Sequence, residues 1–312
     1  MNPLSLLNAL PGACAQGIIW GIMGIGVYIT YKILDIADLS VDGTMATGGA
    51  VCGIMIVNGY SVWIAMLCAF LAGMLAGLIT GIFHTFMGIP AILAGILTQL
   101  GLYSINLRIL GIGTSAGTAS NLAISVDQYD LLLSLRNVRV LSWNNPIFVA
   151  AIFLVILIAV LYWFFGTEMG CSLRATGSNA GMSRAQGINT SFNKVLGLMI
   201  SNGIVALASA LYAQYQGFAD VNAGRGAIVI GLAAVIIGGV VFGKLFHNFA
   251  LKLLGVALGA IIYYLVIQVV LWLGLSSSDL KLLSAIVVAV FLAIPYWKNR
   301  YLTGRKGGKT HA

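Results

Sequence analysis

The chain has 312 residues, 60% of them hydrophobic and only 8% charged, and its Lys and Arg outnumber its acids to leave a net charge of +8. Soluble globular domains carry roughly a quarter charged residues, so this chain has too little polar side-chain surface to face water. That excludes an ordinary soluble enzyme or nucleic-acid-binding domain, and the placement of the cations then matters more than their total.

Crossing a bilayer as a helix takes about 20 predominantly apolar residues. Such stretches occur at 11–33, 61–83, 91–112, 147–165, 195–216, 250–273 and 281–297, with two shorter glycine-rich stretches at 43–58 and 226–242. In lipid every backbone polar group needs an internal partner, and the alternation of barrel strands is absent. The expected fold is therefore all-α: one polytopic transmembrane helical bundle over residues 1–312, with about eight or nine spans, some short or broken. Residues 1–12 lack a charged region and a cleavage site, so no removable signal peptide is expected. Ala69, Gly73, Gly77 and Gly81 recur every four residues, as do Gly255 and Gly259, a spacing that lets helix backbones pack closely. Cys14, Cys52, Cys68 and Cys171 show no metal spacing and read as core residues, with neither a disulfide nor a zinc site implied.

Three segments carry charge or chemistry between the spans. The first, 33–43, places Asp35, Asp38 and Asp42 between two apolar stretches. Carboxylates near membrane depth are costly and mark substrate or ion pathways, while a wet loop with three solvated acids fits the spacing equally well. The second, 113–146, contains Asp127, Asp130, Arg136 and Arg139, and the third, 166–194, contains Arg174, Arg184 and Lys194. With Lys244, Lys252 and the basic tail 298–312, the third segment puts most cations on one side, which the positive-inside rule makes cytoplasmic. The segment 113–146 is then external. The stretch 43–58 is short for a span and reads as a half-helix dipping in from outside, which puts the start of the chain on the cytoplasmic side.

Within 166–194, Gly177 can end one turn, Ser178 or Asn179 can cap a short helix through about Gln186, and Gly187 can terminate it. A helix that only anchors the fold to the membrane face is an equally physical use of that pattern. A faint echo runs from 43–112 to 226–297: a short glycine-rich helix, a small-residue helix, then an apolar helix. Transporters contain such repeats, and chance similarity among apolar helices also produces them. Polar residues inside helices are Gln99, Asn106, Arg108, Asn202, Gln214, Gln216 and Gln268. Each can bond a neighbouring helix, and Arg108 with Asp38 or Asp42 would supply both signs of charge for a zwitterionic substrate. In the tail, Gly307-Gly308-Lys309-Thr310 lacks the first Gly of a phosphate loop, since Thr303 stands there, so no nucleotide site is expected. His84, His247 and His311 assemble no catalytic set, which argues against a membrane enzyme.

The run Asp38-Leu39-Ser40-Val41, then Gly43 and Ala46-Thr47-Gly48-Gly49-Ala50, resembles the signature after the first helix of ribose-type and branched-chain-amino-acid-type ABC permeases. Leu173-Arg174-Ala175, Gly177, Asn179 and then Arg184-Ala185, Gly187-Ile188-Asn189 resemble that family's coupling loop. The likeness continues through Gly226, Leu232-Ala233-Ala234-Val235, Gly238-Gly239 and Leu271, Gly274-Leu275-Ser276, covering about residues 16–297. The resemblance implies the membrane permease of an ATP-driven importer in a bacterial inner membrane. A separate ABC ATPase subunit would bind the ATP and Mg, an extracytoplasmic binding protein would deliver solute, and a second permease copy or a related permease would complete the pathway. It implies no cofactor, metal or catalytic residue in this chain. It assigns Asp38, Ser40 and Asp42 to the translocation path, and Gln99, Asn106, Arg108 and Gln214 stand as further candidates on their polarity within apolar helices. It assigns Arg174, Gly177, Ser178, Asn179, Met182, Arg184 and Gly187 to the ATPase contact. Asp42 stands where the commoner sugar-permease pattern has Gly directly after Val, and the segment 33–44 is most similar to a subgroup some of whose members are linked to aromatic amino acids. An amino acid or related metabolite is thus the expected solute. A sugar or nucleoside carried by the same mechanism, and an ion-coupled secondary transporter, are the alternatives.

Overall fold

The computed structural model describes residues 3–125, 128–139, 145–273 and 280–297. Asp127, the Gly274-Leu275-Ser276 motif and the tail 298–312 therefore lie outside the described residues. Eleven helices follow in order: α1 Pro3–Tyr28, continued by a π-helical turn Ile29–Ile33, α2 Val41–Val57, α3 Val62–Thr85, α4 Ala91–Leu110 and α5 Pro146–Gly166. Then come α6 Glu168–Ser178, α7 Ala180–Ala185, α8 Thr190–Gln216, α9 Ala227–Phe242, α10 Phe249–Trp272 and α11 Leu280–Trp297. Six of these are long and apolar enough to cross a membrane, and α2 and α9 are shorter apolar helices. The all-helical expectation misses one element: β1 Asn121–Ala123 pairs antiparallel with β2 Phe218–Asp220, Leu122 opposite Ala219.

Burial sorts the helices. In α1 and α8, 78% and 67% of the most apolar window is buried, against 28% in α4 and 17% in α5. A centre of α1 and α8 is thus wrapped by helices whose outer faces are apolar, as a protein dissolved in lipid requires. Glycines set how closely the central pairs meet. A Cβ on Gly17 or Gly21 would lie 2.7 or 2.9 Å from the Cα of Ile261 or Ala257 on α10. On α3, a Cβ at Gly73 or Gly77 would strike the carbonyl oxygens of Asn202 or Leu198 on α8.

The two ends of the bundle are distinct. At one lie β1 and β2, and there the Tyr215 hydroxyl donates to the Gly12 carbonyl at 3.2 Å. At the other lie α6 and α7, where Gly177 packs on the carbonyl of Ile33. So α1 runs from the ribbon end to the α6 end. Residues 34–40 then climb back irregularly to mid-bundle, and α2 continues to the ribbon end, its Gly53 packing on Ile124 and Ala219. This corrects the expectation for 43–58. The half-helix is reached from the α6 end rather than from the ribbon end, so the first residues of α1 lie at the ribbon end.

The second half mirrors this path. α8 rises to the ribbon end, residues 217–226 descend to mid-bundle, and α9 continues to the α6 end, antiparallel to α10, with Gly238 against Gly255 and Gly259 against Ala234. Each half is thus a long helix, an irregular return, a half-helix starting mid-bundle and a glycine-seamed helix, and the two halves run in opposite senses. Among the described residues, the elements of the echo between 43–112 and 226–297 run in opposite senses, the arrangement of an inverted repeat.

Candidate functional site

The two half-helices begin at mid-bundle, and each start leaves orphan backbone N–H groups with a partial positive charge. Each is met by a carboxylate. Asp38 stands two residues before the N-cap Ser40 of α2, and its Oδ1 accepts from the Ser40 N–H at 2.9 Å and the Ser40 hydroxyl at 2.5 Å. Its Oδ2 accepts from Asn202 Nδ2 at 2.8 Å, and Asn202 Oδ1 accepts from the Thr44 hydroxyl at 2.7 Å. Asp38, Ser40, Thr44 and Asn202 are all buried, at 2%, 0%, 0% and 0% exposure, so this network pins the return 34–40 onto α8 and keeps Asp38 enclosed within the bundle.

Asp42 acts on the other half-helix. Its Oδ2 accepts from the Gly226 N–H and its Oδ1 from the Ile228 N–H, both at 2.9 Å. The structure thereby makes Asp42 a cap for α9, supplied from 184 residues upstream. Close approach permits this, since Gly224 packs on the backbone carbonyl of Asp42 where any side chain would collide.

Beside this junction lies a cavity of about 350 Å3, lined by Asp42, Gln99, Asn106, Tyr103, Leu100 and Arg225 among others. Asn106 is fully buried; its Nδ2 donates to the Gly43 carbonyl at 3.3 Å, but its Oδ1 has no partner. The Arg225 guanidinium lies 5.9 Å from the centre of the Tyr103 ring, a cation–π distance. Four of the residues expected along the path do not gather here. Arg108, in the last turn of α4, is exposed and does not line the cavity; Arg225, in the return before α9, supplies the cation there. Gln214 is buried three turns along α8 from Asn202, about 18 Å at 1.5 Å per residue. Its Oε1 accepts from the Leu132 N–H at 3.2 Å, tying 128–139 to the bundle. Asp38 and Ser40 belong to the pinning network. Of the seven, Asp42, Gln99 and Asn106 line the cavity.

The segment 166–194 is more ordered than expected: α6, N-capped by Thr167, precedes the short helix. Asn179 rather than Ser178 caps α7, its Oδ1 accepting from the Met182 N–H at 3.0 Å. Gly187 stops it with φ +81, its N–H bonding the Arg184 carbonyl while the Ile188 N–H bonds that of Ser183, the paired bonds of a Schellman turn. Ser178, Asn179, Met182 and Arg184 face outward. Arg174 instead folds back, one of its Nη atoms donating to the Phe165 carbonyl at 2.6 Å, and Gly177 is taken up by packing on Ile33. Arg184 Nε donates to the Thr190 hydroxyl at 3.1 Å, bracing α7 on the start of α8.

The family described as "Branched-chain amino acid transport system / permease component" matches residues 11–295. The chain is 40% identical to the tyrosine transport system permease protein of Clostridioides difficile (strain R20291), over 92% of this chain and 91% of that one. It is 28% identical to the autoinducer 2 import system permease protein LsrC of Escherichia coli (strain K12 / DH10B), over 93% of this chain and 73% of the relative. Among solved structures, PsaBC from Streptococcus pneumoniae in complex with Fab aligns with a TM-score of 0.52 at 17% identity, covering 96% of this chain and 94% of that one, a likeness of fold.

Proposed function

The chain belongs to the branched-chain amino acid transport permease family and is the multi-pass membrane permease component of an ABC-type transport system, and from that premise we propose that it imports an amino acid with an aromatic side chain through the cavity beside Asp42. The observation that carries this is the unpartnered Asn106 Oδ1 in the same mid-bundle cavity as Arg225. A buried carbonyl oxygen without a donor is costly, and Asn106 Oδ1, enclosed behind the cavity wall, gains one from a ligand ammonium when the wall side chains shift, while Arg225 suits a ligand carboxylate. Both half-helix starts are already neutralised by Asp38 and Asp42, so a substrate carboxylate is drawn to Arg225 rather than to a helix end. Tyr103, Leu100 and Val221 supply the apolar wall an aromatic ring would occupy. The volume, about 350 Å3, sits at the low end of the roughly 300–1,000 Å3 of small-molecule pockets.

The cation-rich α6 end is cytoplasmic on the positive-inside rule, which supports nine crossings from an external start, two of them made of an irregular return plus a half-helix. On this reading α7 docks on a separate ATPase subunit, a binding protein delivers solute at the ribbon end, and the bacterial inner membrane holds the assembly. The cavity opens beside the exposed apolar face of α4, with Leu93, Ile96, Leu97 and Leu100, where a second permease copy closes the path. The test is uptake of labelled L-tyrosine in cells expressing the chain with its ATPase and binding protein. Arg225→Gln and Asn106→Leu each lower uptake at least tenfold while membrane levels hold. Unchanged uptake in both would remove the cavity from the path.

A further inference from the structure

A second cavity, of about 690 Å3, opens at the α6 end of the bundle between α1, α5, α6 and the start of α10. Four basic side chains reach it from four separate pieces of chain: Lys32 on the π-helical turn, Arg174 on α6, His247 in the α9–α10 connection and Lys252 on α10. No Asp or Glu is among the described residues that line it. Basic residues at a membrane-facing helix end ordinarily snorkel apart into the headgroup layer. Here Lys32, Arg174 and Lys252 converge on one concavity with His247 beside them, and like charges so arranged call for an anion.

The cavity does not end at the cations. A narrower one of about 220 Å3 shares Tyr28, Lys32 and Lys252 with it and continues towards mid-bundle between α9 and α10, as far as Val235 and Val256. One wall is the stacked pair Phe242 and Phe246, rings 5.2 Å apart and 9° from parallel. The floor is backbone at Gly238, Gly239 and Gly255. A Cβ added at Gly239 would meet nothing within 4 Å, so its face is open groove. A cationic mouth at the membrane edge, joined to an apolar slot running into membrane depth, has the shape of an amphiphile.

We propose that this pair of cavities binds one anionic phospholipid of the cytoplasmic leaflet, its phosphate among Lys32, His247 and Lys252 and one acyl chain in the groove between α9 and α10. Basic pockets between membrane helices on the cytoplasmic side recognise anionic headgroups in this way. The groove distinguishes a lipid from a free phosphate, which would use the mouth alone. It also distinguishes a lipid from an acidic segment of the ATPase, which would approach from water and leave the slot empty. The site lies across α1 from the Asp42 cavity and shares no residue with it.

The experiment is native mass spectrometry of the delipidated full chain in detergent, titrated with phosphatidylglycerol or phosphatidylcholine. The parent should take up one phosphatidylglycerol per chain with at least tenfold preference over phosphatidylcholine. Lys32→Gln with Lys252→Gln should abolish that preference while leaving phosphatidylcholine uptake unchanged. Gly239→Leu, which fills the slot and leaves every cation in place, should weaken phosphatidylglycerol at least fivefold. Melting of each variant in the same detergent checks that it is folded. Inorganic phosphate competing as strongly as phosphatidylglycerol, or Gly239→Leu binding like the parent, would reduce the site to a simple anion site and overturn the proposal. Loss of a co-purified ATPase in the double Lys variant with lipid uptake unaltered would overturn it in favour of a protein partner.

Discussion

Asp42 ties the two inverted halves together, and removing its carboxylate should be felt in stability before it is felt in transport. Both oxygens accept backbone N–H groups at the start of α9, at 2.9 Å each. A hydrogen bond to a charged group contributes about 1.5–3 kcal/mol, so Asp42→Ala forfeits about 3–6 kcal/mol, with the lower figure favoured because the adjoining cavity admits water to the orphaned N–H groups. Asp42→Asn keeps one acceptor oxygen but turns an NH2 group towards the other donor, so it forfeits one bond, about 1.5–3 kcal/mol. At about 2 °C per kcal/mol, heating the purified protein in detergent and following the folded fraction by size exclusion should show Tm lowered by roughly 6–12 °C for Ala and roughly 3–6 °C for Asn. Asp35→Asn is the control: Asp35 is exposed with φ +56, a conformation Asn tolerates well, so its Tm should stay at the parent value. An Asp42→Ala protein melting within 2 °C of the parent would refute the cap. A normal Tm for Asp42→Asn with uptake abolished would make Asp42 a substrate ligand instead.

Other perturbations separate packing, coupling and assembly. Gly77→Leu drives a side chain into the Leu198 carbonyl, so insertion should yield aggregated protein on size exclusion. Gly101→Ala, whose Cβ meets nothing within 4 Å, should leave Tm unchanged or raise it by up to about 2 °C, from about 1 kcal/mol of helix propensity. Gly187→Val places a β-branched residue at φ +81, where L residues are strained by about 1–2 kcal/mol. Together with Arg184→Glu, which reverses an exposed charge on α7, it should cut binding-protein-stimulated ATP hydrolysis at least tenfold with membrane insertion intact, and unaltered stimulation by both variants would sink the docking role of α7. If α4 meets a second copy, Leu97→Cys in a Cys171→Ser background should give a disulfide-linked dimer in membranes, and a nanodisc mass of one permease per two ATPases would contradict it.

The spans were readable because lipid imposes on the backbone a geometry that composition alone reports: the predicted stretches 91–112 and 195–216 became Ala91–Leu110 and Thr190–Gln216. Asn179, Gly187 and the helix between them were readable for a local reason, since caps and left-handed stops act within a few residues. The cavity was not readable, because its geometry depends on contacts between the halves. Arg108 sits in an apolar helix at the expected depth, but its direction around the α4 axis is fixed by how α2 packs on α4 at Gly43, whose Cβ would lie 3.0 Å from the Gln99 Cα. Arg225 gave no signal by itself, being one cation in a polar return. The signal that would have found it lay in the echo between 43–112 and 226–297, read with its direction reversed. Inversion makes the return 217–226 the mate of 34–40 and brings the starts of α2 and α9 to the same depth. An acid beginning one half-helix then stands opposite the backbone donors of the other, and the cation in the second return stands beside the acid of the first, which is where Asp42, Gly226 and Arg225 are found.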